Sequence, residues 1–169
     1  NISFKNFRNS NFDIVLFDRN YAGLNLKGLN TFVYNENDIH LLYLFKSLIN
    51  YLKQKNELSL KENYFKSLYS DFNAKIAIGH DIESRIFDFK KLSSKTKVIV
   101  YQQGFYWPIH QARSAQRFKN FKSDFFLIFD KWHKKIFKGV KTKFIISRSV
   151  KNNEIKIKNK KSKKKKYDI

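Results

Sequence analysis

Residues Lys97 to Trp107 read KVIVYQQGFYW, and this stretch decides the fold. The run from Val98 to Tyr101 has no polar alternation, which is typical of a strand buried on both faces in a parallel sheet. Gln102, Gln103 and Gly104 follow immediately, past the carboxyl end of that strand. Open α/β sheets bind their ligands at that edge. The stretch therefore predicts a parallel sheet and the edge at which a site should lie.

Similar apolar runs recur along the chain and alternate with stretches of helical periodicity. The predicted strands are Asp13–Phe17, Thr31–Tyr34, Lys75–Ile78, Lys97–Tyr101, Asp124–Phe129 and Lys143–Ile146. The first predicted helix is 38–53, whose leucines and aromatics lie on one apolar face. A capping box at Ser59–Glu62 opens the second. The other predicted helices are 81–92, 109–121 and 131–138. This alternation is typical of βαβ units.

We therefore predict an α/β fold with a Rossmann-like parallel sheet and helices on both faces. Residues 12–150 would form this single domain, since 169 residues suit one hydrophobic core. Residues 1–11 are expected to be a polar leader. The lysine-rich stretch 151–169 has no apolar period and is predicted to be disordered.

The chain is strongly basic, with a formal net charge of +21. Residues 151–169 contain nine lysines and two acidic residues, a net of +7, which leaves +14 spread over the first 150 residues. Such a field favours polyanionic partners: nucleic acid, nucleotide phosphates or an anionic membrane surface.

The composition also excludes several classes of protein. The chain has no cysteine, so it holds neither disulfides nor thiolate metal sites. No stretch approaches the roughly 18 apolar residues of a membrane span, and no signal peptide is recognisable. We expect a cytoplasmic protein, with peripheral contact at the inner membrane face as an option. Because the chain also lacks methionine, we expect a fragment or a processed product.

His80 and Asp81 end the predicted strand at Lys75–Ile78, one strand before the glutamine pair. If the two strands are neighbours, both loops meet at one edge of the sheet. His80 is then a candidate general base or phosphate partner, because an imidazole titrates near neutral pH, and Asp81 is a candidate to orient it. The alternative is that Asp81 only caps the following helix and His80 is a turn residue.

The loop after Tyr101 offers further candidate ligand contacts. Gln102 and Gln103 supply amide donors and acceptors, and Gly104 lets a ligand approach the backbone. The next three aromatics are candidates to stack on a base or sugar, or alternatively to plug the core: Phe105, Tyr106 and Trp107. Arg113 and Arg117 are four residues apart, so on a helix they would face one way, toward an anion or toward solvent.

Several familiar motifs are absent from the sequence. There is no Gly-x-Gly-x-x-Gly fingerprint, no phosphate-binding Gly-Lys-Ser/Thr loop, no Gly-x-Ser-x-Gly elbow and no His-Glu-x-x-His. The remaining histidines, His40, His110 and His133, have no partners at ligand spacing. We therefore predict neither a cofactor nor a metal.

The strand-end motifs together resemble a known family. They are Asn35-Glu36 before the leucine-rich helix, Ile78-Gly79-His80-Asp81, Val100 to Phe105, Asp124 to Phe129, and the strand Lys143–Ile146 with Ser147 and Asn152-Asn153. These resemble the amino-terminal half of GT-B-type surface-carbohydrate biosynthesis proteins, the capsule and lipopolysaccharide transferases related to glycerophosphate transferases. The resemblance spans roughly residues 12–153.

This resemblance implies one of two Rossmann-like domains facing a cleft, the acceptor-side half of a glycosyltransferase-like protein. A second domain would bind most of the nucleotide-activated sugar or polyol-phosphate, so this chain alone would be incomplete. The resemblance adds Glu36 to the residues expected to line the cleft. Relatives carry Gln-His-Gly or Gln-Asn-Gly where this chain has Gln102-Gln103-Gly104, and a glutamine cannot act as a base. Arg148-Ser149 likewise stands where relatives have Gly-Ser.

Two other functions stay open at this point. A nucleic-acid-binding protein would explain the charge and the lysine tail, although the aromatics fall on apolar periods that serve a core. The lysines before the tail are also not concentrated on one predicted element. A structural or degenerate domain without activity is the third option.

Overall fold

The computed structural model describes residues 2–8, 10–17, 28–35, 38–53, 58–82, 85–104, 106 and 117–147. Its strands are β1 (Ile2–Ser3), β2 (Asn11–Phe17), β3 (Thr31–Val33), β4 (Ile39–His40), β5 (Asn73–His80), β6 (Lys97–Tyr101), β7 (Lys122–Ile128) and β8 (Lys141–Ile146). Its helices are α1 (Leu41–Lys53), α2 (Leu60–Ser70), α3 (Arg85–Leu92) and α4 (His133–Ile136). The predicted tail at 151–169 lies outside the described residues.

Six of these strands form one parallel sheet in the order β3-β2-β5-β6-β7-β8. The predicted strand Lys97–Tyr101 has the observed bounds, and its Val98, Val100 and Tyr101 are buried. With the helices that flank the sheet, the order confirms a Rossmann-like α/β fold. Because β3 and β5 lie on opposite sides of β2, the direction of strand addition reverses at β2, which makes the β2–β5 boundary the switch point of the sheet.

Helices α2, α3 and α4 contribute to the larger hydrophobic core on one face of the sheet. Val15, Ala77, Val98 and Phe126 from the strands pack there with apolar side chains of these helices and of the turn after α4. Many of those side chains are aromatic rings in contact with one another, for example Tyr69 with Phe89, with centroids 5.5 Å apart. The high aromatic content of the chain therefore serves its core.

A smaller hydrophobic cluster is formed by strand side chains at positions that alternate with those of the larger core. Its buried members are Ile14, Leu16 and Tyr101, with Val33, Ile76, Ile78 and Leu127 packed against them. Alternate residues of a strand point to opposite faces, so this cluster marks the second face of the sheet. All members that the structure describes come from strands.

The predicted capping box opens α2. The backbone N–H of Glu62 donates to Ser59 Oγ at 3.2 Å, and the backbone N–H of Ser59 donates to Glu62 Oε2 at 2.8 Å. These two bonds satisfy donors that the first turn of a helix leaves free. The prediction of a helix start at Ser59 is confirmed.

Residues 2–8 pack on the domain rather than extending from it as the expected polar leader. Strand β1 pairs in parallel with β4, and Phe7 is buried in the larger core. The backbone N–H of Phe7 also donates to the Tyr43 hydroxyl of α1 at 2.8 Å. The strand pairing, the buried Phe7 ring and this backbone bond together hold the segment on the domain.

Candidate functional site

The candidate site lies at the carboxyl edge of the sheet, where β5 and β6 end side by side. His80 and Tyr101 are register partners, and their rings meet edge to face with centroids 6.2 Å apart. The backbone N–H of Asp81 then donates to the Tyr101 carbonyl at 3.0 Å. His80 and Asp81 thus stand beside the glutamine loop, as the sequence predicted for neighbouring strands, and next to the switch point of the sheet.

A close approach of α3 to the sheet sets the position of this strand end. Gly79 lies opposite Phe17 in β2, and a Cβ on Gly79 would come within 3.0 Å of Phe17 Cβ and 3.2 Å of Ile86 Cβ. Only a residue without a side chain lets α3 lie this near to β5. Gly79 therefore fixes the backbone immediately before His80 and Asp81.

Asp81 is fully buried, and its carboxylate bridges the two loops. Its Oδ1 accepts the backbone N–H of Gln103 at 3.0 Å. Its Oδ2 is buried and has no partner at hydrogen-bond geometry among the described residues. Helix α3 is described from Arg85 onward, and the hydrogen bond found for the Asp81 carboxylate goes to the neighbouring loop.

Burial raises the pKa of Asp81, because the ionised carboxylate loses its hydration. The Tyr106 hydroxyl, the Gln103 N–H and the charge of His80 oppose this shift without cancelling it. The Tyr106 hydroxyl lies beside the carboxylate but falls short of full hydrogen-bond geometry. Burial and the nearby carboxylate charge both raise the pKa of Tyr106, so the phenol stays protonated and can donate.

Gln102, predicted to contact a ligand, is instead used inside the protein. It is 2% exposed, its Oε1 accepts the Phe129 backbone N–H at 3.1 Å, and its Nε2 donates to the Gly104 carbonyl at 2.7 Å. Both ends of the amide are therefore engaged in holding the end of β6 to the end of β7. The sequence could not separate this role from ligand binding, because Phe129 is 27 residues away along the chain.

Of the other predicted site residues, His80, Gln103, Gly104 and Tyr106 are half-buried, so they reach the surface of this edge. The Tyr106 ring packs edge-on against Phe137 of the core at 5.3 Å, which fits the core-plug alternative for that residue. A Cβ on Gly104 would meet none of the described residues within 4 Å, so among them the backbone there is open to a ligand. The predicted contacts Glu36, Phe105 and Arg113 lie outside the described residues.

Arg117, which the sequence paired with Arg113 as a candidate anion contact, contacts the loop after Asp81. Its Nη2 donates to the Ile82 carbonyl at 2.9 Å, which ties the start of the 117–121 segment to the loop after Asp81. The positive charge of Arg117 lowers the pKa of Tyr106, but burial and the Asp81 carboxylate raise that pKa by more. The four-residue spacing from Arg113 was the available sequence signal.

A second basic feature lies beside α4. An open groove of about 590 Å³ is lined by Phe144 and four lysines: Lys131, Lys134, Lys135 and Lys138. Their spacing of three, four and seven residues from Lys131 is that of one face of the predicted helix 131–138, of which α4 is the part that is helical in the structure. The expectation that no predicted element before the tail concentrates lysine was wrong, because these four lysines all fall within the predicted helix 131–138.

Two further pockets, of about 510 Å³ and 500 Å³, lie at the amino edge of the sheet. Within the described ranges, no group of three or more His, Cys, Asp or Glu could hold a metal ion. No described helix is long and apolar enough to span a membrane.

Comparison with known proteins finds no relative: no family model, no curated protein and no solved structure matches this chain.

Proposed function

We propose that this domain is the acceptor-side half of a glycosyltransferase-like protein of the GT-B type, acting in cell-surface polysaccharide biosynthesis. The observation that carries the proposal is the position of His80 and Asp81, at the carboxyl end of β5 and beside the switch point of a parallel sheet. Ligands of open α/β sheets bind in the crevice at that point. The family resemblance of the strand-end motifs supplies the class of reaction.

In such a transfer, an acceptor hydroxyl oxygen forms a bond to the donor's anomeric carbon or phosphorus, and the bond to the nucleotide leaving group breaks. The hydroxyl proton must pass to a base. His80 is our candidate for that base, since its ring is half-buried at the edge and a neutral imidazole accepts a proton. The nucleotide-activated donor would come from the second domain that the resemblance implies.

Asp81 serves in this proposal as a positioning residue. Its carboxylate is fully buried, so it does not meet the acceptor, and it fixes the Gln103 backbone at 3.0 Å. Gln103, the open backbone at Gly104 and the protonated Tyr106 then offer polar contacts for a hydroxyl-rich acceptor. Arg117 supplies positive charge nearby for a phosphate-bearing acceptor.

Calorimetric titration tests the proposal with two anionic ligands of equal charge. The first is an oligomer of poly(glycerol phosphate), which carries hydroxyls, and the second is inorganic polyphosphate, which has none. We expect tighter binding of the first, and we expect His80→Ala to weaken it about tenfold while polyphosphate binding is unchanged. The control Lys135→Ala should leave the preference for the hydroxylated ligand unchanged. Equal binding of the two ligands, or no effect of His80→Ala, would contradict the proposal.

The lysine groove beside α4 favours one second function, binding of single-stranded nucleic acid. Four lysines there can follow a phosphate backbone, and Phe144 offers an apolar surface between them. In that case oligonucleotide affinity should fall steeply with salt, and Lys134→Ala with Lys138→Ala should reduce the salt slope by about two phosphate contacts. Affinity that is insensitive to salt and to these substitutions argues against this function.

A further inference from the structure

Helix α1 turns its apolar side away from the domain. The exposed side chains are large, and they include Phe45 at 68% and Leu52 at 71%. The full set is Leu42, Leu44, Phe45, Leu48, Ile49 and Leu52. At 100° per residue these positions cover an arc of about 160°. The sequence had predicted one apolar face for this helix, and the structure shows that it faces outward.

The side of α1 that faces the domain is polar and is held in place. Tyr43 and Ser47 are its buried residues. The Tyr43 hydroxyl accepts the Phe7 N–H at 2.8 Å and donates to Asp71 Oδ2 at 3.1 Å, and the Ser47 hydroxyl donates to the Tyr43 carbonyl. Rotating α1 to bury its leucines would break the two bonds of the Tyr43 hydroxyl to Phe7 and Asp71 and expose a buried phenol, whereas the Ser47 bond lies within the helix. The outward apolar face is therefore a built feature of the fold.

The apolar surface extends beyond the helix. Strand β4 leads directly into α1, and its Ile39 pairs with Ile2 of β1, both exposed. Surface-exposed apolar residues are ordinary when scattered, but a contiguous patch marks an interaction site. Six large residues on one side of one helix form such a patch.

Charge identifies the partner of this surface. Helix α1 contains no acidic residue, and two lysines border its apolar arc on one side: Lys53, and Lys46, whose ammonium also pairs with Asp71 at 3.0 Å. The segment that packs on α1 adds the exposed cations Lys5 and Arg8. A second copy of the chain would bring together two molecules of net charge +21, which repel one another. An anionic lipid surface attracts the cations and also accepts the leucines.

We propose that α1 is a membrane-docking helix that lies in the headgroup region of an anionic bilayer. Its 13 residues span about 20 Å, too short to cross the hydrocarbon layer but suited to lying in the plane of the interface. Phe45, Leu48 and Leu52 then enter the acyl boundary, while the Tyr43 hydroxyl keeps the helix attached to the domain through Phe7 and Asp71. This inference stands apart from the proposed transfer reaction and holds for any function of the carboxyl edge.

Vesicle flotation with two matched double variants tests the docking helix. The vesicles are phosphatidylglycerol with phosphatidylcholine, and phosphatidylcholine alone. Phe45→Lys with Leu52→Lys adds two positive charges but removes the apolar contacts. The control, Leu92→Lys with Ile146→Lys, adds the same charges at exposed apolar positions on α3 and β8.

We expect the wild-type protein to float with the anionic vesicles. The α1 variant should partition about tenfold more weakly or worse, despite its higher charge, whereas the control should bind at least as well as wild type. If binding came from net charge alone, both variants would bind more strongly, and the proposal would be overturned. A wild-type dimer that the α1 variant dissociates would overturn it too, since a second copy would then cover this face.

A fluorescent reporter gives an independent positive signal. Phe45→Trp should show a blue-shifted emission on anionic vesicles and quenching by brominated lipid, while the control Leu92→Trp should show neither. The two native tryptophans give the baseline in the wild-type chain. No difference between the two reporters would place α1 outside the bilayer and contradict the inference.

Discussion

The carboxylate of Asp81, at the end of β5, accepts the backbone N–H of Gln103, beyond the end of β6, at 3.0 Å. This bond joins the two loops that form the candidate site, and it is made by a carboxyl group with no exposed surface. A buried carboxylate, of which one oxygen has no hydrogen-bond partner among the described residues, carries a desolvation cost. The loop geometry is therefore held at the expense of stability.

Substitution of Asp81 should reveal that cost. The folded-state pKa of Asp81 lies above the ordinary value of 3.8, so the folded protein binds this proton more tightly than the unfolded chain does. Stability should fall as pH rises through that window, by about 1.4 kcal/mol for each unit of pKa elevation. Asp81→Asn keeps an acceptor for Gln103 and cannot ionise, so it should be the more stable protein at neutral pH in urea unfolding. Its advantage should vanish below pH 3.8.

Asp124 is the matched control with the opposite sign. Burial opposes its ionisation, but the ion pair with Lys90 at 2.7 Å and the Val98 N–H at 2.8 Å hold its pKa below 3.8. Asp124→Asn should therefore be less stable than wild type at neutral pH, by about 1–3 kcal/mol, and the difference should shrink as pH falls below 3.8. Similar pH profiles for the two variants would refute the assigned pKa directions.

Gln102 should behave as a structural residue. Gln102→Ala removes the partners of the Phe129 N–H and the Gly104 carbonyl, so we expect a loss of about 1–3 kcal/mol in the free energy of unfolding. Gln103→Ala, at a half-buried neighbour, is the control and should change stability by less than about 0.5 kcal/mol. Equal losses in chemical denaturation would mean that the Gln102 amide does not join β6 to β7.

Two glycines at the same edge should respond differently to alanine. Gly79→Ala forces a Cβ to within 3.0 Å of Phe17 Cβ and 3.2 Å of Ile86 Cβ, so α3 must move away from the sheet, at a cost of about 1–3 kcal/mol. Gly104→Ala meets no atom of the described residues within 4 Å and should fold as well as wild type. Thermal unfolding of the pair measures this difference, and equal melting temperatures would exclude a close approach at Gly79.

His40 should make the protein sensitive to mild acid. Burial lowers its pKa below the ordinary 6.5, against a smaller opposing effect of Asp38, and its ring packs edge-on against Phe7 at 5.1 Å. The unfolded chain then binds a proton at a pH at which the folded protein does not. The free energy of unfolding should therefore fall as pH drops through 6.5. His40→Gln should lack this particular loss. If urea midpoints of the two proteins decline in parallel between neutral pH and pH 5, His40 is not the group responsible.

The features that sequence predicted well are local ones. The strand Lys97–Tyr101 and the capping box Ser59–Glu62 each depend on a few consecutive residues, so pattern and propensity suffice. The meeting of His80–Asp81 with the Gln103 loop followed from one assumption, that consecutive strands of a parallel sheet are neighbours. In the structure β5 and β6 are neighbours, and their parallel register pairs His80 with Tyr101, the last residue before the glutamine loop.

The features that sequence missed depend on distant partners. Gln102 serves a backbone N–H on β7, and Phe7 anchors a polar segment by entering a core built from other elements. The periodicity of α1 correctly gave an apolar face but could not say what that face meets. In the structure the apolar face points outward, because the Tyr43 hydroxyl on the other side of the helix is bonded to Phe7 and Asp71.

Amide NMR during titration with poly(glycerol phosphate) locates the binding site and tests the central claim most directly. We predict that the largest shifts occur at His80, Gln103, Gly104 and Tyr106, and that inorganic polyphosphate does not reproduce them. Shifts confined to Lys134, Lys135 and Lys138, and equal for both ligands, would contradict an acceptor site at the carboxyl edge and leave the lysine groove as the anion-binding surface of this protein.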